Sequence, residues 1–377
     1  MTGTGRTMLA ARVEAGSTTV ALVRVPVPEV GPQDVLVRVV SAGVAPGILR
    51  LLASGGFPNL PTTIGHEAAG TVEAVGPAVS GIVPGTRVRV HPNLTCLRCA
   101  YCTSDREMMC EQNAMIGHAA FGTGAKPLYD AYHDGGLAEF VRVPHWLVDP
   151  LPDRVGFEVG AKVHDLANAV RALKCADLRD GAAVVVTAAT GAMGTATVAL
   201  AARFGVARLV LVGRDAKRLA AVRELAGDLP TDTVATDDLP PDWAANGGLT
   251  TVLRGLLPGG ADAVLDYAPE GVLGTQALHS MATGATFVHM GGNFTGELVP
   301  MAVMMVRCWR LVGTRANTRA DVRDVLCLIG DGSVDADRLI THRYPLDDIG
   351  TALAEMQARE EPIWMAVVTP PQSDTAL

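Results

Sequence analysis

The order of apolar and polar residues along the chain predicts two kinds of structure. In roughly the first 155 residues, short apolar runs separated by glycine and proline turns indicate strands, for example at 35–40, 70–75 and 87–90. From about residue 156 onward, continuous apolar strands alternate with helical segments. Such continuous runs predict a parallel sheet that helices cover on both faces. We therefore expect an α/β fold with a β-rich domain and a doubly wound parallel sheet.

The alternating region and the tail can be divided into individual elements. Strands are predicted at 182–187, 208–212, 263–265, 286–288 and 363–368, and helices at 192–204, 215–226, 319–329 and 349–359. The segment 116–136 is too polar and too rich in glycine for one element, and we predict a long loop there. Long loops within compact domains are often functional.

A glycine-containing turn follows the first strand of the alternating region. It carries Thr190, Gly191, Ala192, Met193 and Gly194 and leads directly into a helix. Two glycines here let a pyrophosphate approach the backbone and let the helix pack closely on its strand. The N–H groups and positive dipole end of the helix favour phosphate. Although the first glycine of the usual fingerprint is replaced, the strand before and the helix after indicate a dinucleotide site.

The end of the second strand predicts which dinucleotide is bound. Gly213 stands where an acidic residue would bind the ribose of NAD, and Arg214 follows it. Arginine matches phosphate in charge and geometry, and Lys217 and Arg218 lie one helical turn further on. We therefore predict NADPH. The alternative is a solvated cationic helix start that Asp215 caps.

A later strand of the same sheet ends in a histidine. His289 closes the strand at 286–288 and is followed by Gly291. Because ligands of such sheets bind at the carboxyl ends of the strands, we predict that both residues lie near the nicotinamide.

Four of the seven cysteines crowd into 15 residues. Cys96, Cys99, Cys102 and Cys110 are separated by two, two and seven residues. Four thiolates at this spacing can close a tetrahedral zinc site that has no open position, so we predict one structural zinc per chain. An iron–sulfur cluster is the alternative that spacing alone does not exclude.

Composition narrows the class of protein further. The chain has 377 residues, 49% of them hydrophobic and 19% charged, which excludes general disorder. With a net charge of −8 and no basic run, we expect no nucleic-acid partner. The longest uncharged stretch, 182–202, is long enough to cross a bilayer, but its glycines and threonines indicate strand, turn and helix. We expect no membrane partner and a cytoplasmic location.

Several further segments, together with the turn and the cysteines, carry a resemblance to a known family. These segments are 25–28 (VPVP), 32–37 (PQDVLV), 65–70 (GHEAAG), 83–88 (VPGTRV), 135–141 (GGLAEFV) and 345–348 (PLDD). The chain resembles the zinc-containing medium-chain dehydrogenase/reductase superfamily, the group of alcohol dehydrogenases and quinone oxidoreductases, nearly from end to end.

The resemblance implies a domain organisation and an activity. It implies a GroES-like catalytic domain at 1–157 with the zinc lobe at 93–113, a Rossmann NADP-binding domain at 158–305, and a segment at 306–377 that completes the catalytic domain. It further implies hydride transfer at nicotinamide C4, with a small-molecule substrate in the cleft between the domains. Subunits of the family usually pair through the last strands of the cofactor sheet, here near 310–313, which predicts a homodimer or a dimer of dimers.

The chain departs from the zinc-dependent alcohol dehydrogenases at the catalytic metal. By resemblance, Ala45 stands at the position of a zinc-binding cysteine, Gly47 at that of a serine or threonine proton relay, and Ile48 at that of an aspartate. One expected ligand and the expected exit for a hydroxyl proton are therefore missing.

The other two ligand positions are histidines. His66 and its neighbour Glu67 match the second ligand and its acidic neighbour, and His164 aligns with the third ligand. We therefore predict that the catalytic residues are His66, His164, Glu67 and, from the long loop, Tyr132. Neutral histidine or tyrosine can donate a hydrogen bond to a developing oxyanion.

Three functions remain open at this point. The first is NADPH-dependent reduction of an activated C=C bond, as in an enone or a quinone, without a catalytic zinc. The alternative is a zinc-dependent alcohol dehydrogenase or carbonyl reductase that uses His66 and His164 with a carboxylate, Glu67 or Asp165. The third is a nucleotide-binding protein without turnover.

Overall fold

The computed structural model describes residues 6–295 and 299–372. It divides into two compact units, Met1–His164 with Thr318–Leu377 and Asp165–Asn317. The first and last parts of the chain therefore form one unit, and the middle forms the other. The boundaries between these two units fall at 164/165 and 317/318. The sequence analysis predicts domain boundaries at 157/158 and 305/306.

The first part of the chain is rich in short strands. Its elements are β1 Thr7–Val13, β2 Ala21–Pro26, β3 Asp34–Val44, α1 Pro46–Ser54, β4 Thr62–Thr63, β5 Ala68–Val75, β6 Arg87–Val90, β7 Asn93–Leu94, β8 Ala114–Met115, α2 Pro127–Tyr132, β9 Phe140–Pro144, β10 Val148–Pro150 and α3 Phe157–Ala176. The boundary between the units falls within α3.

The middle part alternates strands and helices, as the apolar pattern predicts. Its elements are β11 Ala182–Thr187, α4 Ala192–Leu200, β12 Val206–Gly213, α5 Ala216–Arg223, β13 Thr231–Ala235, α6 Trp243–Asn246, α7 Gly248–Leu256, β14 Ala261–Asp266, α8 Leu273–Leu278, β15 Met281–His289, α9 Met301–Arg307 and β16 Arg310–Gly313. The six strands form one parallel sheet in the order β13-β12-β11-β14-β15-β16. This is the doubly wound sheet that the sequence predicts.

The last part of the chain returns to the β-rich unit. Its elements are α10 Arg319–Gly330, β17 Ile340–Pro345, α11 Ile349–Ala358 and β18 Met365–Thr369. Strand β18 pairs antiparallel with β3, and the sheet runs in the order β10-β6-β5-β3-β18-β17, with β9 also on β3. Buried valines of β3 and β18, such as Val37 and Val368, lie in the core of this unit.

Several sequence-based element predictions need correction at their ends. The segment 116–136 is not loop throughout, because α2 lies within it. The helix predicted at 192–204 ends as α-helix at Leu200 and continues as a 3₁₀ helix to Phe204. Within the described residues, no helix has the length and apolar character needed to cross a membrane.

Candidate active site

Three histidines from three distant parts of the chain lie together in the β-rich unit. His66 precedes β5, His118 follows β8, and His164 lies in α3. The ring centroids of His66 and His118 are 4.6 Å apart, and those of His66 and His164 are 5.0 Å apart, both edge to face. His66 therefore contacts both of the other rings. We call these three residues the histidine cluster.

Glycines explain how His66 and His118 come side by side. Each histidine directly follows a glycine with positive φ, Gly65 at +98° and Gly117 at +55°. The Gly65 N–H donates to the Gly117 carbonyl at 3.0 Å. A Cβ on Gly117 would lie 2.7 Å from the Gly65 nitrogen, so the two backbones approach too closely for any side chain. The sequence Gly-His, repeated at both positions, therefore places two imidazoles in contact.

Two histidines of the cluster, His66 and His118, are held in the neutral form around pH 7. Burial lowers the pKa of His66 well below its usual value, and the neighbouring His118, His164 and Lys162 lower it further. Burial, followed by the charge of Arg50, lowers the pKa of His118 to about 4. The Nδ1 atoms of His66 and His118 are buried, and no described residue forms a hydrogen bond to either. Buried polar atoms normally have a partner, so these nitrogens are candidates to bind a ligand or water.

His118 lies beside Gly47, which stands at the position of the serine or threonine proton relay in the zinc-dependent alcohol dehydrogenases. A Cβ on Gly47 would lie 2.7 Å from Nε2 of His118, so the imidazole fills the space beside Gly47. The hydroxyl of Tyr129 donates to the His118 carbonyl at 2.8 Å and fixes this part of the loop. The sequence analysis did not select His118 as a site residue. Its one local signal was a histidine in a glycine-rich loop.

A buried ion pair adjoins the cluster. The Lys162 ammonium donates to Oε2 of Glu67 at 2.5 Å, and neither side chain is exposed to solvent. The other carboxylate oxygen of Glu67 lies 4.0 Å from Nε2 of His66. Gly43 leaves room for the pair, since a Cβ there would lie 2.2 Å from Oε2 of Glu67. The sequence analysis also did not select Lys162 as a site residue, although a lysine among apolar residues is a visible signal.

Tyr132, the remaining predicted catalytic residue, is engaged elsewhere. Its hydroxyl donates to Oδ1 of Asp34 at 2.6 Å, and the Arg142 guanidinium lies 4.9 Å from its ring centroid. Burial, followed by the hydrogen bond to Asp34, raises the pKa of Tyr132 to about 12. The structure therefore brings together His66, Glu67 and His164, but it commits the Tyr132 hydroxyl to Asp34.

The glycine turn has the geometry that a phosphate-binding turn needs. Gly191 is the N-cap of α4, and its backbone is extended. A Cβ on Gly194 would lie 2.7 Å from Cα of Ala189, so the helix packs against the turn without room for a side chain. Ala188, three residues before Gly191, adopts φ +46°, a left-handed conformation that favours glycine.

The residues that follow β12 differ in exposure. Gly213 is buried, whereas Arg214 and Lys217 are exposed and able to meet a ligand. Arg218 is buried, and its backbone N–H donates to Oδ1 of Asp215 at 2.7 Å, which caps α5. The capping role expected for Asp215 and the exposed cation at Arg214 are therefore both present.

At the ends of β14 and β15, His289 is paired with a buried carboxylate. Its Nδ1 lies 2.6 Å from Oδ2 of Asp266, and the Thr187 hydroxyl donates to the other oxygen. The backbone N–H of Asn293 donates to His289 Nε2 at 3.3 Å. Gly291 packs tightly, because a Cβ there would lie 2.2 Å from the carbonyl oxygen of Ala268. His289 thus links adjacent strand ends to the loop that follows.

The four cysteines form the second candidate centre. Their sulfur atoms all lie within 4.8 Å of one another, with Cys99 and Cys102 at 3.5 Å. Strands β7 and β8 pair at the base of this lobe. The backbone N–H of Cys96 donates to the Cys110 sulfur at 3.5 Å. Four convergent sulfurs, of which that of Cys110 accepts the backbone N–H groups of Cys96 and Gln112, suit a structural zinc.

Comparisons with known proteins agree with this architecture. Residues 31–153 match the model of the alcohol dehydrogenase GroES-like domain. The chain is 29% identical over 343 residues to "Probable D-xylulose reductase A" of Aspergillus fumigatus, covering 88% of this chain and 89% of that protein. It is 28% identical over 326 residues to the L-idonate 5-dehydrogenase of Vitis vinifera, covering 84% and 82%.

A solved structure extends the likeness to nearly the whole chain. It is a dehydrogenase of Sinorhizobium meliloti 1021, described as zinc-binding and bound to NADP, with 29% identity and a TM-score of 0.81. The alignment covers 97% of this chain and 100% of that one. The similarity therefore extends over nearly the whole chain and is not confined to residues 31–153. These comparisons support the resemblance of the chain to the zinc-containing medium-chain dehydrogenase/reductase superfamily.

Proposed function

We propose that the protein is an NAD(P)-dependent oxidoreductase that interconverts an alcohol and a carbonyl compound, with small polyhydroxylated molecules as its substrate class. A hydride moves between the carbinol carbon and nicotinamide C4, and a proton leaves or joins the substrate oxygen. The observation that carries the proposal is the histidine cluster, because neutral imidazoles can donate hydrogen bonds to a carbonyl oxygen as it gains charge. The names of the xylulose reductase and the idonate dehydrogenase support this reaction.

Interconversion of alcohol and carbonyl is the reaction of the second interpretation in the sequence analysis, which assigns it to a zinc held by His66, His164 and a carboxylate. The first interpretation, reduction of a C=C bond, depends on Gly47, which offers no hydroxyl for the substrate proton. The structure supports a different view of that position, since Nε2 of His118 lies in the space beside Gly47. A hydrogen-bonding group therefore reaches this place from another part of the chain. None of the relatives named above carries a name that refers to C=C reduction.

Two of the ligands that a zinc-dependent version could use are missing or engaged. Ala45 supplies no thiolate, and Oε2 of Glu67 is bound to the Lys162 ammonium. Among the described residues, only the four cysteines form a group of three or more metal-binding side chains whose donor atoms all lie within 4.8 Å of one another. The zinc-dependent version that uses Glu67 as its carboxylate would require this side chain to leave Lys162. We therefore assign the contacts with the substrate oxygen to histidine.

NADPH is the cofactor that the end of β12 favours. The exposed Arg214 and Lys217 offer two positive charges, and Gly213 offers no carboxylate that would repel a 2′-phosphate. The Sinorhizobium dehydrogenase, solved with NADP, supports the same choice.

We also propose that two copies pair through β16. This strand is an edge of the parallel sheet, and unpaired strand edges readily accept a second strand. Large apolar side chains on α9 and β16 are exposed, namely Met301, Met305, Val306 and Leu311. Sedimentation should show a dimer or a dimer of dimers, and Leu311→Asp should shift it toward monomer.

The function is tested by measuring oxidation of NADPH and NADH with a panel of ketoses and simple ketones, and reduction of NADP and NAD with polyols. His66→Ala should lower kcat by about 10²-fold or more, the effect of losing one oxyanion donor. His342→Ala, in β17 and outside the cluster, serves as the matched control. Turnover that His66→Ala leaves unchanged would count against the assigned site.

A further inference from the structure

Lys162 is an unusual residue in this chain. Only four of the 31 lysines and arginines are lysine, and Lys162 alone among the four is buried. Its side chain has no exposed surface, and α3 carries it into the β-rich unit next to Glu67. A buried ammonium is costly unless a counter-charge and good geometry accompany it. Its presence beside a candidate active site therefore needs a functional explanation.

The residues packed around Lys162 and Glu67 leave room for both side chains as an ion pair. The Lys162 ammonium and Oε2 of Glu67 are 2.5 Å apart. A Cβ on Gly43 would lie 2.2 Å from that oxygen and 2.8 Å from Cδ of Lys162, so glycine is required there. The Gly43 N–H also donates to the Glu67 carbonyl at 2.9 Å. The carboxylate is thereby fixed in place, with its second oxygen 4.0 Å from His66 Nε2.

We propose that the Lys162–Glu67 pair takes the electrostatic place of a catalytic metal at this centre. Lys162 supplies the positive charge and occupies the carboxylate, so that Glu67 is withheld from metal binding and the histidine cluster works with hydrogen bonds alone. Lys162 is then a positioning residue, which acts through Glu67 and His66. This inference rests on the proposed function, since it concerns the same centre.

The proposal is tested by counting zinc per chain in protein purified without added metal. The wild type should hold one zinc, at the four cysteines. Lys162→Met should hold two, because the released carboxylate joins neighbouring imidazoles as a ligand. Lys162→Met/Glu67→Gln, which removes that carboxylate, should return to one. Lys174→Met, which changes an exposed lysine of the same helix, should also hold one.

Two zinc ions in the wild type, or one in folded Lys162→Met, would overturn the proposal. If Lys162→Met does not fold, the proposal is tested on the wild type and the double variant. One zinc per chain in both proteins supports the proposal. Two zinc ions per chain in either protein contradict it. Zinc content does not depend on the substrate. A protein that holds one zinc but turns over no ketone would therefore refute the proposed reaction and leave this inference standing.

A second measurement separates positioning from simple stability. In the folded double variant, NADPH should bind as in the wild type while kcat for the ketone falls, because only the orientation of His66 has changed. A fall in NADPH affinity alone, with kcat retained, would contradict a positioning role.

Discussion

The Lys162 ammonium lies 2.5 Å from Oε2 of Glu67, with both side chains completely buried. Taking two such charges out of water is costly, and their attraction offsets the cost only while both are present. Glu67 and Lys162 are 95 residues apart in the chain, so this pair also joins the start of β5 to α3. The pair adjoins the histidine cluster, where burial, the neighbouring histidines and Lys162 lower the pKa of His66.

Loss of one partner should destabilise the protein strongly. Glu67→Gln leaves the buried ammonium without a counter-charge and should lower the free energy of unfolding by about 3–5 kcal/mol. Lys162→Met/Glu67→Gln removes both charges and should recover most of that loss. Urea unfolding of the three proteins measures the difference. If the double variant is as unstable as Glu67→Gln, the cost does not come from an unpaired charge.

The low pKa of His118 predicts a loss of stability in acid. In the unfolded chain a histidine takes up a proton near pH 6.5, whereas folded His118 does so at about 4. Between these values the unfolded state binds more protons, so the free energy of unfolding falls as pH decreases through this window and is unaffected above it. The contribution of His118 amounts to at most about 3.4 kcal/mol. His66, whose pKa burial also lowers, adds to the effect.

Urea unfolding at pH 7.5 and pH 4.5 checks this expectation. The wild type should lose more stability over this interval than His118→Asn, which has no proton to gain at this position. Equal losses in both proteins would mean that His118 titrates normally in the folded state.

Gly47 and His118 should depend on one another. Gly47→Ser places a side chain 2.7 Å from Nε2 of His118, so it should displace the imidazole and lower turnover. His118→Ala should lower kcat by roughly tenfold, the value of a lost hydrogen bond. In Gly47→Ser/His118→Ala the new hydroxyl has room and should restore part of that loss. Steady-state kinetics of the wild type, the two single variants and the double variant measures kcat. If the losses of the single variants add in the double variant, the new hydroxyl does not replace the imidazole.

Cofactor preference should follow Arg214. Arg214→Ala removes a charge-assisted contact with the 2′-phosphate, so NADPH affinity should fall roughly 10- to 150-fold. NADH affinity should change little, because NADH has a neutral hydroxyl in place of the 2′-phosphate. Fluorescence titration with both cofactors measures this. A wild type that binds NADH more tightly than NADPH would rule out the assignment.

The parts of the molecule that the sequence predicts well are those with local signals. The strand at 182–187 and the turn at Gly191 and Gly194 follow from one contiguous pattern, because strand, turn and helix are neighbours in the chain. The four clustered cysteines also lie close in sequence, and spacing alone indicates their convergence.

The centre of the histidine cluster depends on long-range contacts, and the sequence predicts only part of it. His66 and His164 follow from the family resemblance. His118 enters through the close approach of Gly65 and Gly117, 52 residues apart, which no local pattern reveals. Tyr132 is predicted as a catalytic residue, but its hydroxyl contacts Asp34, 98 residues away in the chain, and not the cluster.

The proposed reaction is tested most directly by the position of deuterium in a product. The enzyme is supplied with NADPH deuterated at C4 and a panel of α,β-unsaturated ketones, each of which offers a C=O and a C=C bond to the same hydride. Interconversion of alcohol and carbonyl predicts allylic alcohols with deuterium on the carbinol carbon, and their loss in His66→Ala. Saturated ketones with deuterium on the β-carbon would contradict the account and restore the reduction of an activated C=C bond.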